Sequence, residues 1–262
     1  MHPSCKQIRR DILISSRASG HGHIPTSFSI IELLYATYDS MKHDPAKPGW
    51  AERDIFVLSK GHGALGFYCV LANFGYFAVE ETKKFGAFMS NYGCHPDRHK
   101  VAGVEVSTGS LGHGIGVAVG MALAFKLQGT QRRVYTLVGD GEANEGSTWE
   151  AIMIAANLKL DNFTILLDYN KSQVRSLQLN NPAERMRAFD CDVFDVDGHD
   201  VAAIKAALAA KTKGVKAVIG NTIKGYGCRT LEENMFEWHR KSPDEAQIEQ
   251  LSRELDERGP AR

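Results

Sequence analysis

The 262-residue chain lacks the features of several large functional classes. Its five cysteines (Cys5, Cys69, Cys94, Cys191, Cys228) are odd in number, widely spaced and without a C-x-x-C pair. That argues against a disulfide frame and for free thiols in a reducing compartment, of which the cytoplasm is the simplest. Net charge is also missing: 31 Lys and Arg balance 31 Asp and Glu, and no dense Lys/Arg block offsets that balance locally. No general field then attracts nucleic acid or an anionic membrane surface, so neither is an expected partner. No apolar stretch approaches the roughly 20 residues that span a bilayer. Met1 to Asp11 is polar and charged where a secretory signal would be apolar, and the expectation is a soluble protein. No repeat, low-complexity segment or linker divides the chain. At 43% hydrophobic content, one large core is within reach, and residues 1–262 are expected to form a single α/β domain.

What is present is an alternation of helical and strand patterns, punctuated by glycine. Ile8, Ile12 and Leu13 among charges, and Phe28, Ile31, Leu33, Leu34, Tyr35 and Tyr38, keep helical spacing. Between them, Ser19 to Ser27 is rich in Gly, Pro and His and reads as an irregular loop that could carry a site. Ile55-Phe56-Val57-Leu58 is a short buried strand leading through Ser59-Lys60-Gly61-His62-Gly63 into an apolar helix with Phe67, Val70, Leu71 and Phe74. Gly109 to Gly114 opens a helix of small residues that ends near Leu127. Val134 to Val138, Phe163 to Leu167, a segment near Val193, and Val215 to Ile219 read as further strands. Helices are expected from near Asn144 and from about Asp200, which is a plausible cap. The tail from Pro243 is a charged helix, either a solvated cap or a partner-facing arm. The pattern predicts an open, mostly parallel sheet with helices on both faces.

In such sheets ligands bind outside the carboxyl ends of the strands. Five loops frame that edge: His21 to Ser27, Lys60 to Gly63, Gly109 to Gly114, Gly139 to Gly146, and Asn221 to Gly227. Gly139-Asp140-Gly141 ends one strand, and Asn170 follows the next strand, ending at Asp168. Parallel neighbours deliver their ends to the same edge, so Asp140 and Asn170 can meet. Glycines let backbone approach an anion, and a carboxylate with an amide oxygen supplies the hard ligands that Mg²⁺ or Ca²⁺ prefers. The pair reads as a metal-diphosphate clamp. Between Val134 and Leu158 stand four acids, Asp140, Glu142, Glu145 and Glu150, and no Lys or Arg. A helix amino terminus would also favour these acids, but Asp140 stands at the strand end itself, where a cation explains it better.

Taken together the motifs resemble the amino-terminal, diphosphate-binding half of the transketolase family. Those motifs are Gly22-His23-Ile24, Leu58-Ser59-Lys60-Gly61-His62-Gly63, Cys94-His95-Pro96, Ser107-Thr108-Gly109-Ser110-Leu111-Gly112, Gly139 to Glu150, Lys159-Leu160-Asp161-Asn162, Asp168-Tyr169-Asn170, Ile223-Lys224-Gly225-Tyr226-Gly227 and Trp238-His239. The resemblance implies a thiamine diphosphate-binding fold and transfer of a two-carbon ketol unit from a ketose to an aldose. It implies Mg²⁺, replaceable by Ca²⁺ or Mn²⁺, held by the side chains of Asp140 and Asn170 and the backbone carbonyl of Ser172. By the same resemblance Gly141, Lys60, His62, Asn170 and Lys224 lie close to the diphosphate, and Gly109, Leu111 and Thr26 line the cofactor. His23, His95 and His239 surround the reacting carbons, where imidazoles steer hydroxyls and move protons. Glu145 corresponds to an acid near the contact between subunits. His23, and not His21, keeps the family's distance from Glu32.

Two departures bear on specificity: His113 stands where glutamine is common, and Arg240 where glycine is usual. Gly198-His199-Asp200 also matches, as a strand-to-helix turn outside the site. In the family the pyrimidine-binding half supplies the activating glutamate and the residues that hold anionic sugars. No such half occurs in this sequence, so the resemblance implies a separate carboxy-terminal subunit, with an α2β2 assembly expected. Competing readings are the α subunit of a 2-oxo acid dehydrogenase, a subunit that binds cofactor without catalysing, a zinc pair at His21-x-His23, and an NADP-type dehydrogenase turn at Thr108 to Gly116. That turn is one residue too long for the last reading.

Overall fold

The computed structural model describes residues 1–258. Its centre is one sheet of five strands, β1 (Ile55–Leu58), β2 (Val134–Gly139), β3 (Phe163–Tyr169), β4 (Asp192–Asp197) and β5 (Lys216–Asn221), in the spatial order β1-β2-β3-β5-β4. Every neighbouring pair is parallel, so each connection must cross over a face of the sheet. The helices are α1 (Pro3–Ser19), α2 (Ile24–Ser29), α3 (Ile31–Ser40), α4 (Ala64–Asn73), α5 (Gly114–Leu127), α6 (Gly146–Asn157), α7 (Pro182–Ala188), α8 (Val201–Ala209), α9 (Arg229–Glu233) and α10 (Glu245–Glu257).

Successive strand side chains point to opposite faces, and this period of two divides the apolar residues between two cores. Phe56, Leu58, Tyr135, Leu137, Leu166 and Val218 pack with α1 to α4, α8 and α10. Ile55, Val57, Val134, Val138, Ile165, Leu167, Ala217 and Ile219 pack with α5, α6 and α7. Burial on both faces explains why β1, β2 and most of β3 and β5 are unbroken apolar runs, whereas edge strand β4 is half exposed. Each leucine or isoleucine so buried stabilises the fold by roughly 1.5–3 kcal/mol before entropy is counted.

The register places the site. Leu58 pairs with Leu137, Gly139 with Asp168, and Asp168 with Gly220, so the chain after β1, β2, β3 and β5 leaves the sheet along one edge.

The structure alters three local expectations. Half of the loop from Ser19 to Ser27 is helical: α2 starts at Ile24 with a proline in its first turn, where the missing N–H costs nothing. The helix expected near Asn144 begins two residues later, after a 3₁₀ turn at Glu142–Asn144. The charged tail is not merely solvated, because α10 buries Leu251 and Leu255 and its capping box joins Asp244 to Gln247. Residues 259–262 of that tail lie outside the described residues. Asp200 caps α8 as expected, accepting from the backbone N–H groups of Ala202 and Ala203 at 2.9 and 3.2 Å. Among the described residues no helix is long and apolar enough to cross a membrane.

Candidate active site

A cavity of about 370 Å³ opens at the carboxyl edge of the sheet. His23 and Thr26 enter it from the start of α2, Lys60 and His62 from the turn after β1, and Leu111 from the loop before α5. Gly139, Asp140, Gly141 and Glu142 come from the end of β2, Asn170, Ser172 and Gln173 from the end of β3, and Lys224 from the loop after β5. His95, His239 and Arg240 complete the wall. All five of the glycine-punctuated loops therefore reach one place.

Asp140 and Asn170 do meet. Ser172 N–H donates to Asp140 Oδ2 and to Asn170 Oδ1, both at 3.0 Å. Gly141 N–H donates to Asp140 Oδ1 at 2.8 Å. Lys171, with a left-handed φ of 57°, turns the chain that brings Ser172 back onto the pair. Burial raises the Asp140 pKa, as does nearby Asp168, while Lys60 and the two backbone donors oppose the rise. A carboxylate in that position favours a cation that would restore its charge. Among the described residues no group of three or more His, Cys, Asp or Glu is arranged to hold a metal. A metal site here would rest on one carboxylate plus neutral oxygens, which is the donor chemistry of Mg²⁺ or Ca²⁺.

Beneath the clamp lies a charge centre that, in the sequence, is no more than part of a motif. Asp168 is fully buried, and its Oδ2 accepts from Lys60 Nζ at 2.5 Å, Asn170 Nδ2 at 2.7 Å and Ser29 Oγ at 2.9 Å. Thr222 Oγ1 donates to Oδ1. Burial alone would raise its pKa, but the Lys60 charge and these hydrogen bonds outweigh burial and lower it. The contact with Asp168 also orients the Asn170 amide, leaving Oδ1 directed at Ser172 and the clamp. Lys60 and Lys224 are buried, so neither is a solvated surface lysine. Lys60 is paired with Asp168, whereas Lys224 makes no ion pair or side-chain hydrogen bond among the described residues.

Glu142, expected to favour a helix start, has a different role. It is buried, accepts from Ser59 Oγ at 2.6 Å, Gly112 N at 2.9 Å and Gly139 N at 3.2 Å, and so ties three of the loops together. Gln173 belongs to no motif and yet reaches the site. Its amide lies 2.6 Å from where a Cβ on Gly141 would stand, so this approach requires the glycine. For Asp168 a signal does exist: like Asp140, it is an acid closing an apolar strand run.

The histidines form a second group. The ring centroid of His23 lies 5.1 Å from that of His239 and 6.2 Å from that of His62. His23 sits at φ 65° and makes no side-chain capping bond to α2, and its Nδ1 is buried without a partner. Strain and unpaired polar atoms of this kind concentrate at functional sites. Burial lowers the His23 pKa to about 4, helped by His239 and Arg240, and lowers that of His62 to about 2, helped by Lys60. His239 is lowered for the same first reason. His95 lies against Gly109, whose Cβ position is 3.1 Å from the ring.

Three expected positions lie off the cavity wall. Gly109 supports it from behind, through His95 and Gly61. Glu145 is exposed at the amino end of α6 and reaches none of the cavity groups. His21 is exposed and packs edge-on to Phe85, 6.2 Å away, which separates it from His23 and leaves no His21-x-His23 zinc pair. The turn at Thr108 to Gly116 follows no strand, so it is not the phosphate turn of a dinucleotide fold.

A parallel sheet with glycine turns, buried lysines and an Asp–Asn clamp at its carboxyl edge defines an enzyme of the thiamine diphosphate-binding class. The chain belongs to the transketolase family: residues 6–258 match the family model for "Transketolase, thiamine diphosphate binding domain". It is similar to the first of the two subunits named for an apulose-4-phosphate transketolase of Actinobacillus succinogenes, 38% identical over 97% of this chain and 95% of that protein. It is 40% identical to a 6-deoxy-6-sulfo-D-fructose transketolase subunit of Clostridium sp., over 90% of each. Human transketolase is 34% identical over 96% of this chain, which spans 41% of that longer protein. A Pichia stipitis transketolase in complex with sedoheptulose-7-phosphate superposes with a TM-score of 0.88 at 28% identity, over 97% of this chain and 40% of that one.

Proposed function

We propose that this chain is the amino-terminal, diphosphate-binding subunit of a heteromeric transketolase that moves a two-carbon ketol unit from an anionic ketose to an aldose. The observation that carries the proposal is the convergence, in one buried cavity, of the Asp140–Asn170 pair with two lysines and a group of histidines. The donor set suits thiamine diphosphate and Mg²⁺, with Ca²⁺ or Mn²⁺ as substitutes. Asp140 and Asn170 oxygens and the Ser172 carbonyl would hold the ion, while Lys60, His62, Lys224 and Gly141 would face the diphosphate. Thr26 and Leu111 would line the cofactor, with Gly109 behind them. Bound thiamine diphosphate supplies the nucleophilic carbon and the electron sink that ketol transfer needs.

This chain's own contribution is binding, orientation and proton handling. Buried and unpaired, Lys224 offers an ammonium to an anion at little reorganisation cost. His23, His95 and His239 would hydrogen-bond the hydroxyls of the sugar. With their lowered pKa values His23 and His239 are neutral near pH 7, so each can accept a proton as well as donate one. Glu145, exposed and away from the cavity, is assigned to a contact between subunits and not to the chemistry.

Two relatives covered over nearly their whole length are named as transketolase subunits, which supports a partner of the carboxy-terminal type and an α2β2 assembly. Their names specify a phosphate sugar and a sulfo sugar, which supports an anionic ketose here. A cytoplasmic location, a role in pentose phosphate carbohydrate metabolism, and residues 1–262 as one thiamine diphosphate-binding domain complete the proposal. Co-expression with a carboxy-terminal subunit, followed by ketol transfer assays across several ketose donors, tests it. Reconstituted transfer supports the proposal, and a partner complex that never transfers supports the non-catalytic alternative.

A further inference from the structure

Behind the cavity lies a buried polar cluster that none of the roles above uses. Arg9 and Glu32 are both fully buried and joined by two hydrogen bonds, at 2.6 and 2.7 Å. Arg9 also donates to the Phe28 carbonyl at 2.7 Å, where α2 gives way to α3. The third member is His199, at the turn between β4 and α8. Its Nε2 accepts the backbone N–H of Ile223 at 2.8 Å. The ring proton must then be on Nδ1, which lies 3.1 Å from Glu32 Oε2 and donates to it. One face of the ring is stacked on Tyr226, with centroids 3.5 Å apart and planes 7° from parallel.

The segment this ring holds is the one that carries Lys224. Ile223 N–H is fixed by His199, Thr222 Oγ1 is fixed by Asp168, and Gly225 N–H donates to the Pro25 carbonyl in α2 at 3.0 Å. Lys224 is thus the one residue of the stretch 222–225 whose side chain reaches the cavity, with anchored neighbours on both sides. Its own ammonium has no intrachain partner among the described residues, so nothing but its backbone tether sets its position. The Glu32 carboxylate joins that tether to Arg9 and hence to α2, which brings Thr26 and His23 to the cavity wall.

We infer that His199 is a positioning residue for the anion site: by accepting the Ile223 N–H while donating to Glu32, it holds the Lys224 ammonium where the diphosphate of the cofactor would lie. The inference rests on the function proposed above. Its chemistry is hydrogen bonding alone, with the Nε2 lone pair as the element that matters.

Two substitutions isolate that lone pair. His199→Asn can keep a donor for Glu32 but has no acceptor within reach of Ile223, whereas His199→Gln extends an acceptor oxygen to the Nε2 position. Thiamine diphosphate with Mg²⁺ is titrated by fluorescence quenching into this chain assembled with its carboxy-terminal subunit. Thermal melting of the cofactor-free assembly reports the fold. His199→Asn is expected to weaken apparent affinity about tenfold, the loss associated with one buried hydrogen bond, and His199→Gln to restore most of it. In a Lys224→Ala background, His199→Asn is expected to cost no further affinity. Equal losses from Asn and Gln, or a full loss persisting without Lys224, overturn the inference. Failure of the unsubstituted assembly to take up thiamine diphosphate overturns the functional proposal and this inference with it.

Discussion

Asp140 sits between two requirements: burial disfavours its charge, while Gly141 and Ser172 N–H groups stabilise it. A divalent ion and a diphosphate would satisfy both. Asp140→Ala is therefore expected to abolish Mg²⁺-dependent cofactor binding while leaving the fold intact; retained affinity by equilibrium titration would remove Asp140 from the metal shell. The Lys60–Asp168 pair is structural as well as functional. Lys60→Met leaves Asp168 buried without its counter-charge and should destabilise the chain by about 3–5 kcal/mol in a urea melt. The histidines set a pH dependence of known direction. His23 and His62 have folded-state pKa values depressed to about 4 and about 2, below the ordinary value of 6.5. The unfolded chain then binds more protons between those values and 6.5, so stability falls as pH drops through that window. Melting temperature should decline from about pH 7 toward about pH 4, and His62→Asn should flatten the decline. Asp140, Asn170 and Lys60 are legible in the sequence because their role follows from strand ends and glycines close by. The roles of Asp168 and Glu142 are not, since each is defined by donors such as Lys60 and Ser59, brought in from far along the chain.

At the scale of elements, the alternation of apolar runs with glycine turns foretells five strands and most helices, because in a sheet covered on both faces the strands must be unbroken apolar segments. Asp200 can be read as a cap from its place before Val201, and Asp200→Ala should cost about 1 kcal/mol of stability, measured by chemical denaturation. Helix α2 escapes a pattern search because Gly and Pro dominate its surroundings, and six residues are too few to form a helix without tertiary support. That support comes from contacts such as Ser29 Oγ on Asp168 and Gly225 N–H on Pro25. The docking of α10 is hidden for a similar reason. Only Leu251 and Leu255 of this charged helix are buried, and two residues make a weak periodic signal. The short helix matters for function, since it gives His23 and Thr26 a fixed origin.

For the molecule as a whole, the two cores brace one sheet, and the carboxyl edge gathers a site from stretches of chain scattered between His23 and Arg240. The histidines and Arg240 complete the cavity wall, and the resemblance to named transketolase subunits supports a second chain closing over it. Arg240, where the family usually has glycine, is the position at which donor preference should differ. Reconstitution tests most directly whether this chain is the cofactor-anchoring half of a transketolase. Ketol transfer is measured for the purified chain, for a carboxy-terminal subunit, and for the two combined, each with and without thiamine diphosphate and Mg²⁺. Transfer is expected from the combination alone, dependent on both cofactor and metal. Full transfer by the isolated chain, or transfer by the combination that survives cofactor removal, would contradict that assignment.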